Sequence, residues 1–160
     1  MSSSYYDDAV AIKPDLVGFM QDIIRMNQDS QIMNKPGDLQ NDLEDISREV
    51  IKKLTDNNPK LKNNAEQTFA LMTGSMLYGV ESCSMALTKS KTKLSAKQTV
   101  SRLFLLTKMI QDHGLASGTH SVPVSALDFA VSGTSNPSDE VRKQAIMMLH
   151  MAWQKDKNRT

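Results

Sequence analysis

Apolar residues recur along most of this chain at intervals of three and four positions, the spacing that places side chains on one face of an α-helix. The clearest example steps by four, three, four and four residues and consists of Leu39, Leu43, Ile46, Val50 and Leu54. No segment alternates apolar and polar residues for long enough to predict a β-strand. The pattern therefore predicts an all-α fold.

Seven segments carry such a stripe, and residues that begin or end helices bound most of them. The predicted helices cover residues 14–29, 38–54, 59–74, 76–87, 95–113, 123–131 and 137–155. Asp38 and Ser95 are placed to cap helix N-termini, and Gly114 follows a helix end, where glycine is common. The segments Ser30–Gly37 and 115–122 are predicted loops.

Short turns join three pairs of these helices, at residues 56–59, 89–93 and 133–136. Helices connected by so few residues lie antiparallel, so each pair is predicted to form an αα-hairpin. With the first predicted helix, the hairpins make one helical domain over residues 14–155. A flexible leader over 1–13 and a flexible tail over 156–160 complete the predicted organisation.

The second helices of the three hairpins share a pattern. Residues 61–65, 96–100 and 141–145 each read as an apolar residue, a base, two polar residues and a further apolar residue. Four positions later stand Phe69, Phe104 and Leu149. The spacing is near the ~40–47 residues of two-helix solenoid units. An irregular helical bundle with stripes that are periodic by chance is the alternative.

These features resemble HEAT repeats, in which an acidic residue and a proline in the turn precede a Val-Arg pair on the second helix. Asp56 with Lys62, and Asn136 with Arg142, match that pattern in part, while Lys91 stands where the middle hairpin would have its acid. The resemblance covers about residues 38–155 and implies an α-α superhelix. Each hairpin would then bury its open face on its neighbour.

Composition and charge narrow the class of protein. The length of 160 residues suits about one domain. The single cysteine, Cys83, lies on an apolar stripe and is predicted to be inert core in a reducing compartment. No basic start precedes an apolar run, and no apolar stretch approaches the ~20 residues that span a bilayer. We therefore expect a soluble, cytoplasmic protein.

The sequence contains few residues in patterns that indicate catalysis, metal binding or phosphate binding. The three histidines, His113, His120 and His150, are widely spaced, and no pairing with Cys83 or carboxylates gives metal-ligand spacing. No glycine-rich phosphate motif and no nucleophile elbow are present. We expect no catalytic residues, no metal and no cofactor.

One surface feature stands out against the net charge of +1. Four lysines lie within nine residues at the turn of the central hairpin: Lys89, Lys91, Lys93 and Lys97. In a stacked solenoid the three hairpin turns share one edge, which predicts a basic rim suited to an acidic partner. A solvated turn that only maintains solubility is the alternative. Ser90, Thr92 and Ser95 lie among the lysines, and their phosphorylation would reverse the local charge.

Short HEAT arrays with basic turns are similar to TOG domains, the tubulin-binding modules of microtubule-plus-end, centrosomal and ciliary-tip proteins. The third hairpin carries the resemblance, with a short first helix, Asn136-Pro-Ser-Asp-Glu-Val-Arg142 and an aromatic, Trp153, near the end of its last helix. The resemblance implies tubulin or microtubules as partner and a cytoskeletal, centrosomal or ciliary location. The implied contacts are Asn57, Asn58, Lys60, Lys89, Lys91, Lys93, Lys97, Ser135, Asn136 and Arg142.

TOG domains generally have about six hairpins, and this chain supplies three with a leading helix. The resemblance therefore implies half a domain, a divergent member, or a subunit that assembles with a further HEAT-containing chain. The rival function is a HEAT- or armadillo-like adaptor that binds a peptide or helix on its concave face. That model would be favoured by exposure of Met147 or Met148. Nucleic-acid binding by the lysines ranks last, because aromatic stacking residues are missing nearby, and the net charge gives no support for a membrane partner.

Overall fold

The computed structural model describes the backbone of residues 36–157 and the side chains of residues 41–157. Within that range the chain forms six α-helices and no β-strand, which confirms the all-α prediction. The helices are α1 (Pro36–Lys53), α2 (Pro59–Thr73), α3 (Gly79–Thr88), α4 (Ala96–His113), α5 (Leu127–Gly133) and α6 (Asp139–Lys157). A 3-10 turn, Val124–Ala126, precedes α5. The predicted leader over 1–13 and the helix beginning at Pro14 lie outside the described residues.

The chain divides into two compact units, with the boundary between Tyr78 and Gly79. In the first unit α1 packs on α2. The side chain of Leu39, the first residue of the predicted stripe, lies outside the described residues. The core of this unit includes the rest of that stripe and the apolar face of α2: Leu43, Ile46, Val50, Leu54, Ala65, Phe69 and Met72. The Tyr78 hydroxyl donates a hydrogen bond to the carbonyl oxygen of Leu43 at 2.8 Å and so ties the end of the unit back to α1.

In the second unit α3 packs on α4, and α5 packs on α6. The most extensive contact joins the two long helices, α4 and α6. Their fully buried side chains step by three and four residues: Leu103, Leu106 and Ile110 on α4, and Val141, Ala145 and Met148 on α6. The predicted pairing of helices into hairpins is thus seen in both units.

Several helices begin or end at residues of the types that commonly cap helices. Asn58 caps α2 by accepting a hydrogen bond from the backbone N–H of Lys60. Ser95 caps α4 with a reciprocal pair of hydrogen bonds to Gln98, and Gly114 ends that helix with φ of 76°. At this φ the backbone of a residue with a side chain would be strained, which explains why glycine occupies this position.

Two predicted helix starts are wrong. Helix α1 begins at Pro36, so Pro36 and Gly37 are helical and Asp38 lies inside the helix instead of capping it. Proline suits a first helical turn because its missing N–H would have no helical partner there. Met76 was expected within the next helix but is 94% exposed in the turn before α3. Gly79 has a φ of 77°, which is outside the helical region, so a regular helix cannot extend through Gly79 to include Met76.

The 3-10 turn and α5 bury small residues. Val124, Leu127 and Val131 are spaced in the sequence as one helical stripe, but Val124 and Val131 are exposed, while Ala126, Ala130 and Gly133 are buried. A Cβ on Gly133 would lie 3.0 Å from that of Ala145 on α6. The helices approach too closely for valines, and small residues therefore occupy the interface.

The predicted register of the repeat fails at α4. Phe69 is 1% exposed, whereas its predicted equivalent, Phe104, is 53% exposed. The buried positions of α4 include Thr99, Leu103, Leu106 and Ile110, so Thr99 and Leu103 lie one residue before the aligned positions 100 and 104. The HEAT repeat itself stays a prediction. At the C-terminal end, α6 runs to Lys157, two residues past the predicted bound of 155.

Candidate protein-binding surface at the hairpin turns

Four exposed lysines lie at the turn between α3 and α4. Lys89, Lys91 and Lys93 stand in the irregular segment between the helices, and Lys97 stands in the first turn of α4. We refer to these four residues as the lysine cluster. The sequence between Lys89 and Lys97 contains no acidic residue, so the local charge is uniformly positive.

An arginine from α4 holds the backbone beneath the cluster. Nη1 of Arg102 donates to the carbonyl oxygens of Leu87 at 3.0 Å and of Lys89 at 2.7 Å. Burial lowers the pKa of the Arg102 guanidinium from its ordinary value. These bonds fix the point where the chain leaves α3.

Two serines add further constraints along the same turn. The Ser90 hydroxyl donates to the carbonyl oxygen of Thr92 at 2.6 Å and accepts from the Thr92 N–H at 3.3 Å. The Ser95 hydroxyl accepts from the Gln98 N–H at 3.2 Å, and the Gln98 side chain accepts from the Ser95 N–H at 2.9 Å. The backbone of the turn is therefore fixed at its start, middle and end, while the lysine side chains remain exposed.

The turn between α5 and α6 is built in a similar way. Nη1 of Arg142 donates to the carbonyl oxygens of Asn136 at 2.8 Å and of Pro137 at 2.9 Å. The Asn136 side chain accepts from the Ser138 N–H at 2.9 Å. Asn136 and Arg142 are thus brought together as predicted, but they bind the turn itself. Ser135 beside them is exposed.

Asp139 reduces the positive charge of that turn. Its carboxylate pairs with Lys143 at 2.9 Å and with Arg142 at 3.2 Å. The hydrogen bond and charge of Lys143, followed by the charge and hydrogen bond of Arg142, lower the pKa of Asp139. The sequence from Lys89 to Lys97 contains no acidic residue, so the two turns differ in the charge of their own residues.

The turn between α1 and α2 belongs to the first unit. Asn57, Asn58 and Lys60 are all exposed there. Asn58 caps α2, and its backbone N–H donates to the Asp56 carboxylate at 2.8 Å. Asn58 therefore has a structural role, and Lys60 is the exposed charge of this turn. The common basic rim predicted for all three turns stays a prediction.

A second exposed surface lies on α6. Ile146, Met147 and Trp153 are 58%, 56% and 58% exposed, whereas Met148 is fully buried. The His150 ring stacks on Trp153 with centroids 6.0 Å apart, and Nζ of Lys157 lies 5.1 Å from the Trp153 ring centroid. We refer to Ile146, Met147, His150 and Trp153 as the α6 face. Trp153 is out of phase with the buried positions of α6, which are Val141, Ala145, Met148 and Ala152.

The remaining candidate residues have ordinary surroundings. Cys83 is buried, as predicted, and burial raises the pKa of its thiol to about 12. His113, His120 and His150 are exposed. Residues 41–157 contain no group of three or more histidine, cysteine or acidic side chains placed to hold a metal ion. No helix in the described part of the chain has the length and apolar character needed to cross a bilayer.

Comparison with known proteins gives no relative: no family model, no curated protein and no solved structure matches this chain.

Proposed function

We propose that this chain is a non-catalytic protein-binding module and that its lysine cluster binds an acidic protein surface. The observation that carries the proposal is the combination of four exposed lysines with a turn whose backbone is held by Arg102. Binding through a turn that is already ordered avoids part of the entropy cost of ordering it in the complex.

The charge distribution supports an electrostatic contact. The chain as a whole has a net charge of +1, so a partner is not attracted to all of its surface equally. The lysine cluster concentrates positive charge where no carboxylate of the same segment neutralises it. Complementary charge of this kind speeds association and selects the orientation of the partner, and its effect weakens as salt rises.

Tubulin is the first partner to test. The resemblance of the turns to those of TOG domains supports this choice, and the acidic surface of tubulin has the charge that the cluster requires. In this proposal Lys89, Lys91, Lys93 and Lys97 make the main contacts. Within the same unit, Ser135 would contribute from the turn between α5 and α6, which Asn136 and Arg142 shape. Asn57 and Lys60, on the turn that Asn58 shapes, stay predicted contacts of the first unit.

The test is co-elution of the full chain with purified αβ-tubulin on a sizing column at low ionic strength. The test variant is Lys91→Glu/Lys93→Glu. The matched control is Lys52→Glu/Lys108→Glu, which changes two exposed lysines on helices α1 and α4 and alters the net charge equally. The native chain and the control are expected to shift with tubulin, and the test variant is not. Absence of a shift for the native chain would reject tubulin as the partner.

An adaptor function is the second candidate, and the α6 face favours it. Ile146, Met147 and Trp153 expose apolar surface, and an exposed tryptophan held by a ring stack is a common anchor of protein interfaces. Binding through this face would be lost in Trp153→Ala, would persist in Lys91→Glu/Lys93→Glu, and would change little with salt. The same co-elution experiment with Trp153→Ala added therefore separates the two functions.

A further inference from the structure

We propose that Thr92 is a phosphorylation site for a serine/threonine protein kinase that selects basic sequences, and that its phosphorylation switches off the lysine cluster. The regulatory half of this proposal rests on the proposed function, in which the cluster binds an acidic protein. The assignment of the site does not, because it follows from the geometry and charge of the turn alone.

Three hydroxyl groups lie among the lysines, and only one is available. The Ser90 hydroxyl donates to and accepts from the backbone of Thr92. The Ser95 hydroxyl is part of the capping box of α4, so its modification would remove a helix cap. Thr92 is exposed, and its hydroxyl makes no hydrogen bond with any residue that the structure describes. A kinase can therefore reach the Thr92 hydroxyl without breaking a hydrogen bond of that hydroxyl.

The charges around Thr92 define the class of kinase. Lys89 lies three residues before Thr92, Lys91 lies one residue before it, and Lys93 lies one residue after it. Kinases discriminate among substrates by charge patterns that complement their peptide cleft, so an acidic cleft fits this segment. Residues 89–95 are neither helix nor strand, so entry into such a cleft breaks no regular structure; it does require the Ser90 and Arg102 hydrogen bonds to the turn backbone to open.

The reaction is a phosphoryl transfer from ATP bound to the kinase. The Thr92 Oγ1–Pγ bond forms, and the bond between Pγ and the oxygen that bridges it to the β-phosphate breaks. The hydroxyl proton passes to the catalytic base of the kinase, and ADP leaves. The product carries about −1.5 to −2 charge at pH 7. Next to Lys91 and Lys93, the phosphate pairs with the same ammonium groups that an acidic partner would use.

The site is tested by treating the full chain with MgATP and a kinase directed to basic sequences, in parallel with a kinase directed to acidic sequences. Intact mass gives the number of phosphates, and peptide fragmentation gives their position. The basic-directed kinase is expected to add phosphate at Thr92 in the native chain and in Ser90→Ala/Ser95→Ala, and to leave that position unmodified in Thr92→Val. Modification at Ser90 or Ser95 in place of Thr92, or equal modification by both kinases, would overturn the assignment.

The regulation is tested by co-elution with αβ-tubulin before and after phosphorylation. Phosphorylation of the native chain is expected to weaken binding by about tenfold at low salt, while kinase-treated Thr92→Val binds as the untreated chain does. Equal binding by the phosphorylated and unmodified chains would overturn the switch. If the unmodified chain does not bind, tubulin is rejected as the partner and the switch of tubulin binding fails with it, whereas the mass measurement still decides whether Thr92 is the phosphorylation site.

Discussion

Arg102 donates a hydrogen bond through Nη1 to the carbonyl oxygen of Lys89 at 2.7 Å, thirteen residues earlier in the chain. The same nitrogen also contacts the carbonyl oxygen of Leu87. Arg142 makes an equivalent pair of bonds to the carbonyl oxygens of Asn136 and Pro137. Two hairpin turns of the second unit are thus held by an arginine of the helix that follows, and the order of the lysine cluster depends on a residue outside it.

Replacement of Arg102 by methionine is expected to lower the free energy of unfolding by about 1–3 kcal/mol, because methionine keeps the apolar stem and removes the donors to two carbonyls. Urea denaturation followed by circular dichroism measures the change. The control, Arg48→Met, removes an exposed ion pair with Asp45 and is expected to cost less than about 1 kcal/mol. Equal losses in both variants would show that Arg102 does not stabilise the turn.

The two phenylalanines aligned by the sequence pattern should respond differently to truncation. Phe69→Ala is expected to lower the free energy of unfolding by about 3–5 kcal/mol, because Phe69 is 1% exposed and its removal leaves a cavity. Phe104→Ala is expected to change it by less than about 1 kcal/mol, because Phe104 is 53% exposed. Chemical denaturation of the two variants measures both values. A large loss for Phe104→Ala would restore the original alignment of the repeat.

The contact between α5 and α6 predicts the effect of a single methyl group. Gly133→Ala would place its Cβ 3.0 Å from that of Ala145 and is expected to destabilise the protein by about 1–3 kcal/mol. Adding Ala145→Gly should recover part of this loss, because it removes the opposing Cβ. Gly74→Ala, where the nearest atom is 3.7 Å away, is the control and should be nearly neutral. Thermal denaturation of the native chain, Gly133→Ala, Ala145→Gly and the double variant gives the coupling between the two positions, and its absence would contradict the close contact.

Burial of Cys83 predicts a dependence of stability on alkaline pH. The thiol pKa is about 12 in the folded chain, raised by desolvation from an ordinary value of 9.0. The folded state therefore keeps its proton above pH 9, where the unfolded state loses it, and stability falls between pH 9 and 12. Cys83→Ala removes this contribution, so its free energy of unfolding should fall less steeply over that interval. Parallel curves for the two proteins, measured by urea denaturation at several pH values, would contradict the burial of the thiol.

The sequence predicted the helices well where local chemistry sets them. Ser95 with Gln98 three residues later begins α4, and Gly114 ends it, because these residues satisfy backbone groups within a few positions of themselves. The stripe of α1 was also correct, since one helix buries one apolar face. Such features depend on short stretches of chain and can be read without knowing the tertiary contacts.

The errors fall where distant packing decides. The sequence of α5 offers a valine face and a small-residue face, and only the proximity of Ala145 selects the second. In the candidate site, exposure of the lysine cluster could be predicted from its polar neighbours. The support from Arg102 could not, because its hydrogen bonds to Leu87 and Lys89 reach thirteen and more residues back along the chain.

The position of Trp153 determines what fluorescence can report about this protein. Trp153 is the only tryptophan, and it is 58% exposed in the folded state beside His150 and Lys157. We therefore expect its emission in the native chain to be that of an indole in contact with water, and we expect unfolding to change it little. A partner that covered the α6 face would shift the emission to shorter wavelength, whereas one bound at the lysine cluster alone would leave it unchanged. The indole thus acts as a built-in indicator of which surface is occupied.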